Sequence, residues 1–214
     1  MSRAVNVAPR VKICGLTRSE DVAAAVAAGA DAVGFVFYRQ SPRYVAPREA
    51  AMLARHLPPF VSAVGLFVNA QAAEIEAALA VAPLDLLQFH GDETPAECER
   101  WQRPYIRAAR VTPDMDLPAC ARRFSRARAL LLDAFTEGYG GAGKTFDWSL
   151  IPPGLPLPVI LSGGLTPENV GEAIRRARPA AVDVSSGVES AKGVKDHRRM
   201  ADFIAAARSE YRGE

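Results

Sequence analysis

Short runs rich in Val, Ile, Leu and Phe alternate along the whole chain with longer Ala-rich amphipathic stretches, and few architectures accept that alternation. The pattern predicts strands at Val11–Leu16, Ala32–Phe37, Val61–Val68, Leu84–His90, Tyr105–Val111, Ala127–Ala134, Pro158–Gly164 and Ala181–Gly187. Between them it predicts helices at Ser19–Ala28, Pro47–Leu57, Gln71–Val81, Thr94–Gln102, Leu117–Phe124, Pro167–Ala177 and Lys195–Arg208, with only a short helical turn at Asp147–Ile151. Thr17-Arg-Ser-Glu20 offers a capping hydroxyl and an acid for one helix start, and Thr166-Pro-Glu-Asn169 puts proline at a first helical position. Each helical crossover returns the chain to the same end of the sheet, so the strands pair in parallel. About eight such units in roughly 200 residues fit one α/β domain, a single (β/α)8 TIM barrel whose active site lies at its C-terminal face. An open doubly wound sheet is the alternative. Residues 1–10 are expected to be a tail and 11–214 the barrel, since no linker or low-complexity stretch divides the chain. Pro152–Pro158 reads as a stiff loop.

Composition narrows the function classes. With 49% hydrophobic residues, 23% charged and a net charge of +2, 214 residues suffice for one well-buried core. No apolar stretch approaches the roughly 20 residues of a membrane-spanning helix, and Met1–Arg10 precedes no signal-type apolar segment. A soluble, cytoplasmic protein is the expectation. Cys14, Cys98 and Cys120 are odd in number and far apart, which suits reduced thiols rather than a zinc site or disulfide framework. Basic residues cluster only at Arg122–Arg128, so no nucleic-acid footprint is read. Nothing separates a monomer from a homodimer.

In this fold the reacting groups sit where strands end and βα loops begin. The first strand ends Lys12-Ile-Cys-Gly-Leu-Thr17, so Cys14 faces the barrel mouth either as a reactive thiol or as a small buried residue. The sixth ends Leu130-Leu-Leu-Asp133, and a carboxylate there is costly to desolvate unless it is used, caps a helix or pairs with an arginine. Ser162-Gly-Gly-Leu-Thr-Pro167 and Asp183-Val-Ser-Ser-Gly-Val-Glu189 end two adjacent strands, and unobstructed backbone N–H groups in such loops can cradle a phosphate. Gly140-Gly-Ala-Gly143, in the segment that continues through Trp148, could close over a ligand on glycine hinges. Arg43, in the proline-bounded turn Ser41-Pro-Arg-Tyr-Val45, either binds a ligand carboxylate through two parallel hydrogen bonds or is a surface arginine. His90, beside Gln88, either donates to a ligand or is structural, whereas His56 and His197 fall on helices.

Together Lys12–Thr17, Ser41–Val45, Gln88-Phe-His-Gly-Asp-Glu93, Leu131-Leu-Asp133, Gly140–Gly143 with Phe146-Asp-Trp148, Ser162–Leu165 and Asp183–Glu189 resemble the phosphoribosylanthranilate isomerase family in order and spacing, from about Val11 to Ile204. Departures from the family pattern are Ala142 for Thr, Phe89 for Leu and Arg107 for Lys. The resemblance implies a cofactor-independent aldose–ketose isomerase of tryptophan biosynthesis acting on a small phosphorylated aminosugar, with no metal and no membrane partner. It implies an Amadori rearrangement in which Asp133 is the general acid and Cys14 the general base. It further implies that Arg43, His90, Gln88 and Asp183 contact the substrate and that Gly163, Gly164, Ser185, Ser186 and Gly187 hold its phosphate. The alternatives are a histidine-pathway aminoaldose phosphate isomerase, which resembles two opposed aspartates where this chain has Cys14, and a non-catalytic phosphate-ligand barrel, which gives no reason for Cys14 and Asp133 to face one another.

Overall fold

The computed structural model describes residues 8–134 and 145–210. In chain order the elements are β1 (Arg10–Cys14), α1 (Ser19–Ala28), β2 (Ala32–Val36), α2 (Pro47–Ala54), β3 (Ser62–Phe67), α3 (Ala72–Val81), β4 (Leu86–Phe89), α4 (Pro95–Glu99), β5 (Tyr105–Val111), α5 (Leu117–Arg123) and β6 (Ala129–Ala134). They continue with β7 (Val159–Leu161), α6 (Val170–Ala177), β8 (Ala181–Val184), β9 (Glu189–Ala191), β10 (Val194–Lys195) and α7 (His197–Ser209). Strands β1 to β8 close into one parallel barrel, with β1 pairing β8 as well as β2. The open-sheet alternative is thereby excluded. Among the described residues no helix is long and apolar enough to cross a membrane.

Closure makes side-chain parity decisive, because alternate residues of every strand point into the barrel or out to the helices. Inside, Ile106, Ala108, Ala129, Leu131 and Ile160 pack with Leu86 and Ala181 into an apolar plug. Outside, Val11, Ile13, Val33 and Phe35 join the larger core beneath the helices. Phe37, Phe67, Phe89 and Tyr105 form a continuous run of rings with centroids 5.1, 6.3 and 5.9 Å apart. The apolar base is continuous, so the polar residues of the strands are left to its upper rim.

Most strand boundaries fall inside the runs the sequence marks, for one reason: composition reports burial, whereas a strand also needs ladder pairing. Leu16, Phe37, Val68 and Leu84 are buried yet lie outside the strands. The predicted cap at Thr17-Arg-Ser-Glu20 is not formed. Thr17 Oγ1 instead donates to the Gly193 carbonyl at 2.8 Å, and Arg18 holds Asp21 through Nε and Nη2 at 2.9 and 2.6 Å. Helix α6 begins three residues later than expected because Asn169 clips the preceding turn, accepting from the Thr166 N–H at 2.8 Å and donating to the Gly164 carbonyl at 3.0 Å. Lys195, expected to open the last helix, belongs to the β9–β10 hairpin, and Asp196 caps α7 by accepting from the Arg199 N–H at 3.0 Å. That hairpin has no apolar alternation to announce it.

Arg107, on the outward face of β5, ties the ends of β3 and β4 together. It donates to Glu93 at 2.7 Å and to the Phe89 and Gly91 carbonyls at 3.2 and 2.8 Å, while Glu93 also accepts the N–H groups of Asn69 and Gly91 at 2.8 and 2.9 Å. Replacing Arg107 with Met strands a buried carboxylate and is expected to cost about 3–5 kcal/mol of stability. Urea denaturation checks this, and an unchanged midpoint with an unchanged slope would contradict the structural role.

Candidate active site

The mouth of the barrel is built on β1. Parity turns Lys12 and Cys14 inward, and Lys12 pairs in register with Asp183 of β8, its Nζ donating to Oδ1 at 2.8 Å. The other Asp183 oxygen accepts from Ser162 Oγ at 3.2 Å. Cys14 lies in register with Gly34 of β2. A Cβ on Gly34 would stand 2.8 Å from the Cys14 sulfur and 3.2 Å from Lys12 Cε, so this glycine makes room for both side chains. Burial pushes the Cys14 thiol up from its ordinary value, and Lys12 is the largest influence pulling the other way.

Across the barrel, β4 and β6 carry a hydrogen-bonded chain. Gln88 Nε2 lies 3.0 Å from His90 Nδ1, and His90 Nε2 lies 3.1 Å from Asp133 Oδ2. The imidazole tautomer sets the roles: a proton on Nε2 is donated to an ionised Asp133, and a proton on Nδ1 leaves Nε2 to accept from a protonated Asp133. The other Asp133 oxygen accepts the Ala134 N–H at 2.9 Å. Gln88 and His90 lie in the mouth as the sequence places them, Gln88 wholly buried and both ring nitrogens of His90 engaged with Gln88 and Asp133. Their observed work is to set the Asp133 carboxyl.

Arg43 has an internal partner that the sequence does not announce. Its two parallel hydrogen bonds go to a carboxylate of this chain, Nε to Glu189 Oε1 at 2.7 Å and Nη2 to Oε2 at 2.8 Å. Lys195 completes the group, its Nζ lying 2.9 Å from Glu189 Oε1 and donating to the Ser185 carbonyl and hydroxyl at 3.0 and 3.3 Å. Among the described residues no acceptor takes Arg43 Nη1, which remains for a ligand. Gly15, at φ 74°, lets this arginine lie across the end of β1, since a Cβ there would come 2.5 Å from Arg43 Cδ.

The two glycine segments meet. A Cβ on Gly187 would stand 1.8 Å from the Leu165 carbonyl oxygen, so the loops after β7 and β8 are in backbone contact. Gly163 and Gly164 have φ of 80° and 63°. Gly163 does a second job, because a side chain there would reach the Ala134 N–H and the Asp133 carboxylate. Among the described residues the N–H groups of Gly164, Ser186 and Gly187 have no hydrogen-bond acceptor, which leaves donors for an anion beside Ser185. Gly140–Gly143 lies outside the described residues; Trp148, further along the segment, is buried with the Arg176 guanidinium 5.9 Å above its ring. Lys12, Glu189 and Lys195 received no role from the sequence. The i, i+2 relation to Cys14 could have flagged Lys12, whereas Glu189 and Lys195 depend on a hairpin without a sequence signature.

A thiol and a hydrogen-bonded carboxyl in the mouth of a parallel barrel, with two anion-ready loops alongside, define an acid–base enzyme of the (β/α)8 class. Residues 11–206 match the family model described as N-(5'-phosphoribosyl)anthranilate (PRA) isomerase. Curated N-(5'-phosphoribosyl)anthranilate isomerases from Dechloromonas aromatica and Methylibium petroleiphilum are each 62% identical over 199 residues, covering 93% of this chain and 96% and 93% of their own. The crystal structure of phosphoribosyl anthranilate isomerase from Thermotoga maritima is 44% identical, with a TM-score of 0.87 over 94% of this chain and 99% of that one. Another structure of such an isomerase, in complex with reduced 1-(o-carboxyphenylamino)-1-deoxyribulose 5-phosphate, is 41% identical with a TM-score of 0.83 over the same shares. The chain belongs to the phosphoribosylanthranilate isomerase family of tryptophan biosynthesis.

The contact between the two loops yields a test. Gly187→Ala forces the Leu165 carbonyl away and is expected to raise KM for the phosphorylated substrate by on the order of tenfold, equivalent to about 1.4 kcal/mol of binding. Steady-state kinetics check it, and an unaltered KM would show that the cradle does not depend on this approach.

Proposed function

We propose that the chain catalyses the Amadori rearrangement of N-(5-phosphoribosyl)anthranilate to 1-(2-carboxyphenylamino)-1-deoxyribulose 5-phosphate, with Asp133 as general acid and Cys14 as general base. The observation that carries this reading is that thiol and carboxyl rise from the C-terminal ends of β1 and β6 in separate settings, one beside cations and the other on a histidine. One group can therefore give a proton while the other takes one.

Asp133 gives its proton to the furanose ring oxygen. The C1–O bond breaks toward that oxygen and the anilino nitrogen supplies its lone pair, forming an iminium at C1. The Cys14 thiolate then removes the hydrogen from C2. The C–H pair becomes the C1–C2 double bond while the iminium electrons return to nitrogen, giving an enolamine. Loss of the enol hydroxyl proton and gain of one at C1 produce the ketone. The proton balance closes when both side chains recover their starting states, and the iminium acidifies the C2 hydrogen at the moment it must leave.

Anchoring follows the charges of the ligand. The phosphate is assigned to Gly163, Gly164, Ser185, Ser186 and Gly187, in keeping with the free N–H groups of those loops. The anthranilate carboxylate is assigned to Arg43, through Nη1 rather than through the fork that Glu189 occupies. Asp183 is assigned to the sugar, seated between Lys12 and Ser162. The reduced product analogue bound by the 41% identical relative has this combination of groups. A small phosphorylated aminosugar is thus the partner proposed for the site, and the cytoplasm the compartment in which its thiols stay reduced.

Cys14→Ala and Asp133→Asn are each expected to lower kcat by about 10²–10⁴-fold with little change in affinity for the product analogue. The loss of substrate fluorescence reports turnover and calorimetry the affinity. Retention of turnover in either variant would remove that residue from its role.

A further inference from the structure

One buried cation has no place in the acid–base scheme. Lys12 occupies the barrel interior one inward position below Cys14, and both side chains flank the point that a Gly34 Cβ would occupy. Its side chain converges with the thiol on that point, its Cε 3.2 Å and the sulfur 2.8 Å away from it, while its ammonium donates to Asp183 at 2.8 Å, and the Lys12 and Asp183 side chains are 5% and 6% exposed. Three cations, Lys12, Arg43 and Lys195, and the Asp183 carboxylate lie near the thiol, with Glu189 pairing Arg43 and Lys195, and each of the five side chains is about nine-tenths buried. On the β2–β3 side the thiol packs in an apolar cluster with Val36, Leu66 and Val68. The charged surroundings thus carry one surplus positive charge, and ionising Cys14 balances it.

We propose that Lys12 is the positioning residue of the base: its ammonium, aimed by Asp183, holds the Cys14 sulfur toward the substrate and stabilises its thiolate. The proposal rests on Cys14 acting as the base. The carboxylate of Asp183 has two effects, fixing the ammonium in place and drawing part of its charge away from the sulfur. Lys195 and Arg43 share the single Glu189 carboxylate at 2.9 and 2.7 Å, and of the cations Lys12 acts most strongly on the thiol. Burial opposes the thiolate, so Lys12 offsets a penalty that the apolar wall imposes.

The sign of the pH effect follows. The reactive form is the deprotonated one, so kcat/KM rises with pH as the thiolate forms. Removing the ammonium moves that rise to higher pH without removing the base. At sufficiently alkaline pH a Lys12→Met enzyme therefore regains activity, whereas loss of architecture would lower the whole profile.

The test reads the thiol itself, as the ultraviolet absorbance of the thiolate in each protein minus that of the same protein carrying Cys14→Ser. Lys12→Met is expected to raise the Cys14 midpoint by about one pH unit and to move the rising limb of kcat/KM by the same amount, while Lys12→Arg restores both. An unmoved thiol midpoint in folded Lys12→Met overturns the proposal. A shifted thiol with an unshifted activity profile upholds the effect of Lys12 on the sulfur and overturns Cys14 as the base, so the two failures are distinguishable. Lys12→Met leaves Asp183 buried without its cation, and if it does not fold the double variant Lys12→Met/Asp183→Asn replaces it. The double variant is compared with Asp183→Asn alone. The expected result is a higher thiol midpoint in the double variant, and equal midpoints overturn the proposal.

Discussion

An ammonium and a carboxylate 2.8 Å apart, in register across the seam where β1 meets β8, occupy the space between the apolar plug and the open mouth of this barrel. Pairing two charges away from water gives little net stability, but separating them costs far more than it would on the surface. The seam is therefore held to one arrangement. Above the pair sits Cys14, beside it Ser162 touches Asp183, and the loop that follows β8 carries Ser185 to Lys195. Parity then dictates the order: a plug of Leu and Ile, a layer of paired charges, and a reactive rim.

The same constraint separates acid from base. Two identical carboxyls in one mouth would compete for a single proton. Here the group proposed to accept a proton is a sulfur near cations, and the group proposed to donate one is a carboxyl facing the His90 ring, which Gln88 contacts. Gly163 adds to the separation, because only a residue without a side chain lets the loop after β7 pass over Asp133. Glu189 plays the corresponding part on the other side, gripping Arg43 so that one end of the guanidinium is presented.

Much of this was legible in the residues and some was not. The barrel followed from alternation alone, because eight parallel crossovers impose a burial rhythm on the chain, and β5 and α1 begin and end where the pattern puts them. The placement of Cys14 and Asp133 at the mouth could be read because strand ends are where this fold exposes polar groups. The internal partners could not. Arg43 in a rigid turn looks the same whether its fork meets a ligand or Glu189, and only the β9–β10 hairpin decides between them. The hydrogen bonds that join Gln88, His90 and Asp133 could not be read, because they link residues of two strands that only the closed barrel brings together. Lys12 carried no role because its partner Asp183 lies on β8, and only closure of the barrel brings the two into register.

The central claim is that Cys14 removes the hydrogen at sugar C2. Single-turnover reaction of substrate carrying deuterium at C2, followed by mass spectrometry of the product, addresses it directly. The account predicts a primary isotope effect and loss of the label from C2, or its transfer to C1, in the wild-type product, with Cys14→Ala returning substrate that still carries the label at C2 over the same interval. Departure of the deuterium at the wild-type rate without the thiol would contradict it, and the base would have to be sought elsewhere in the mouth.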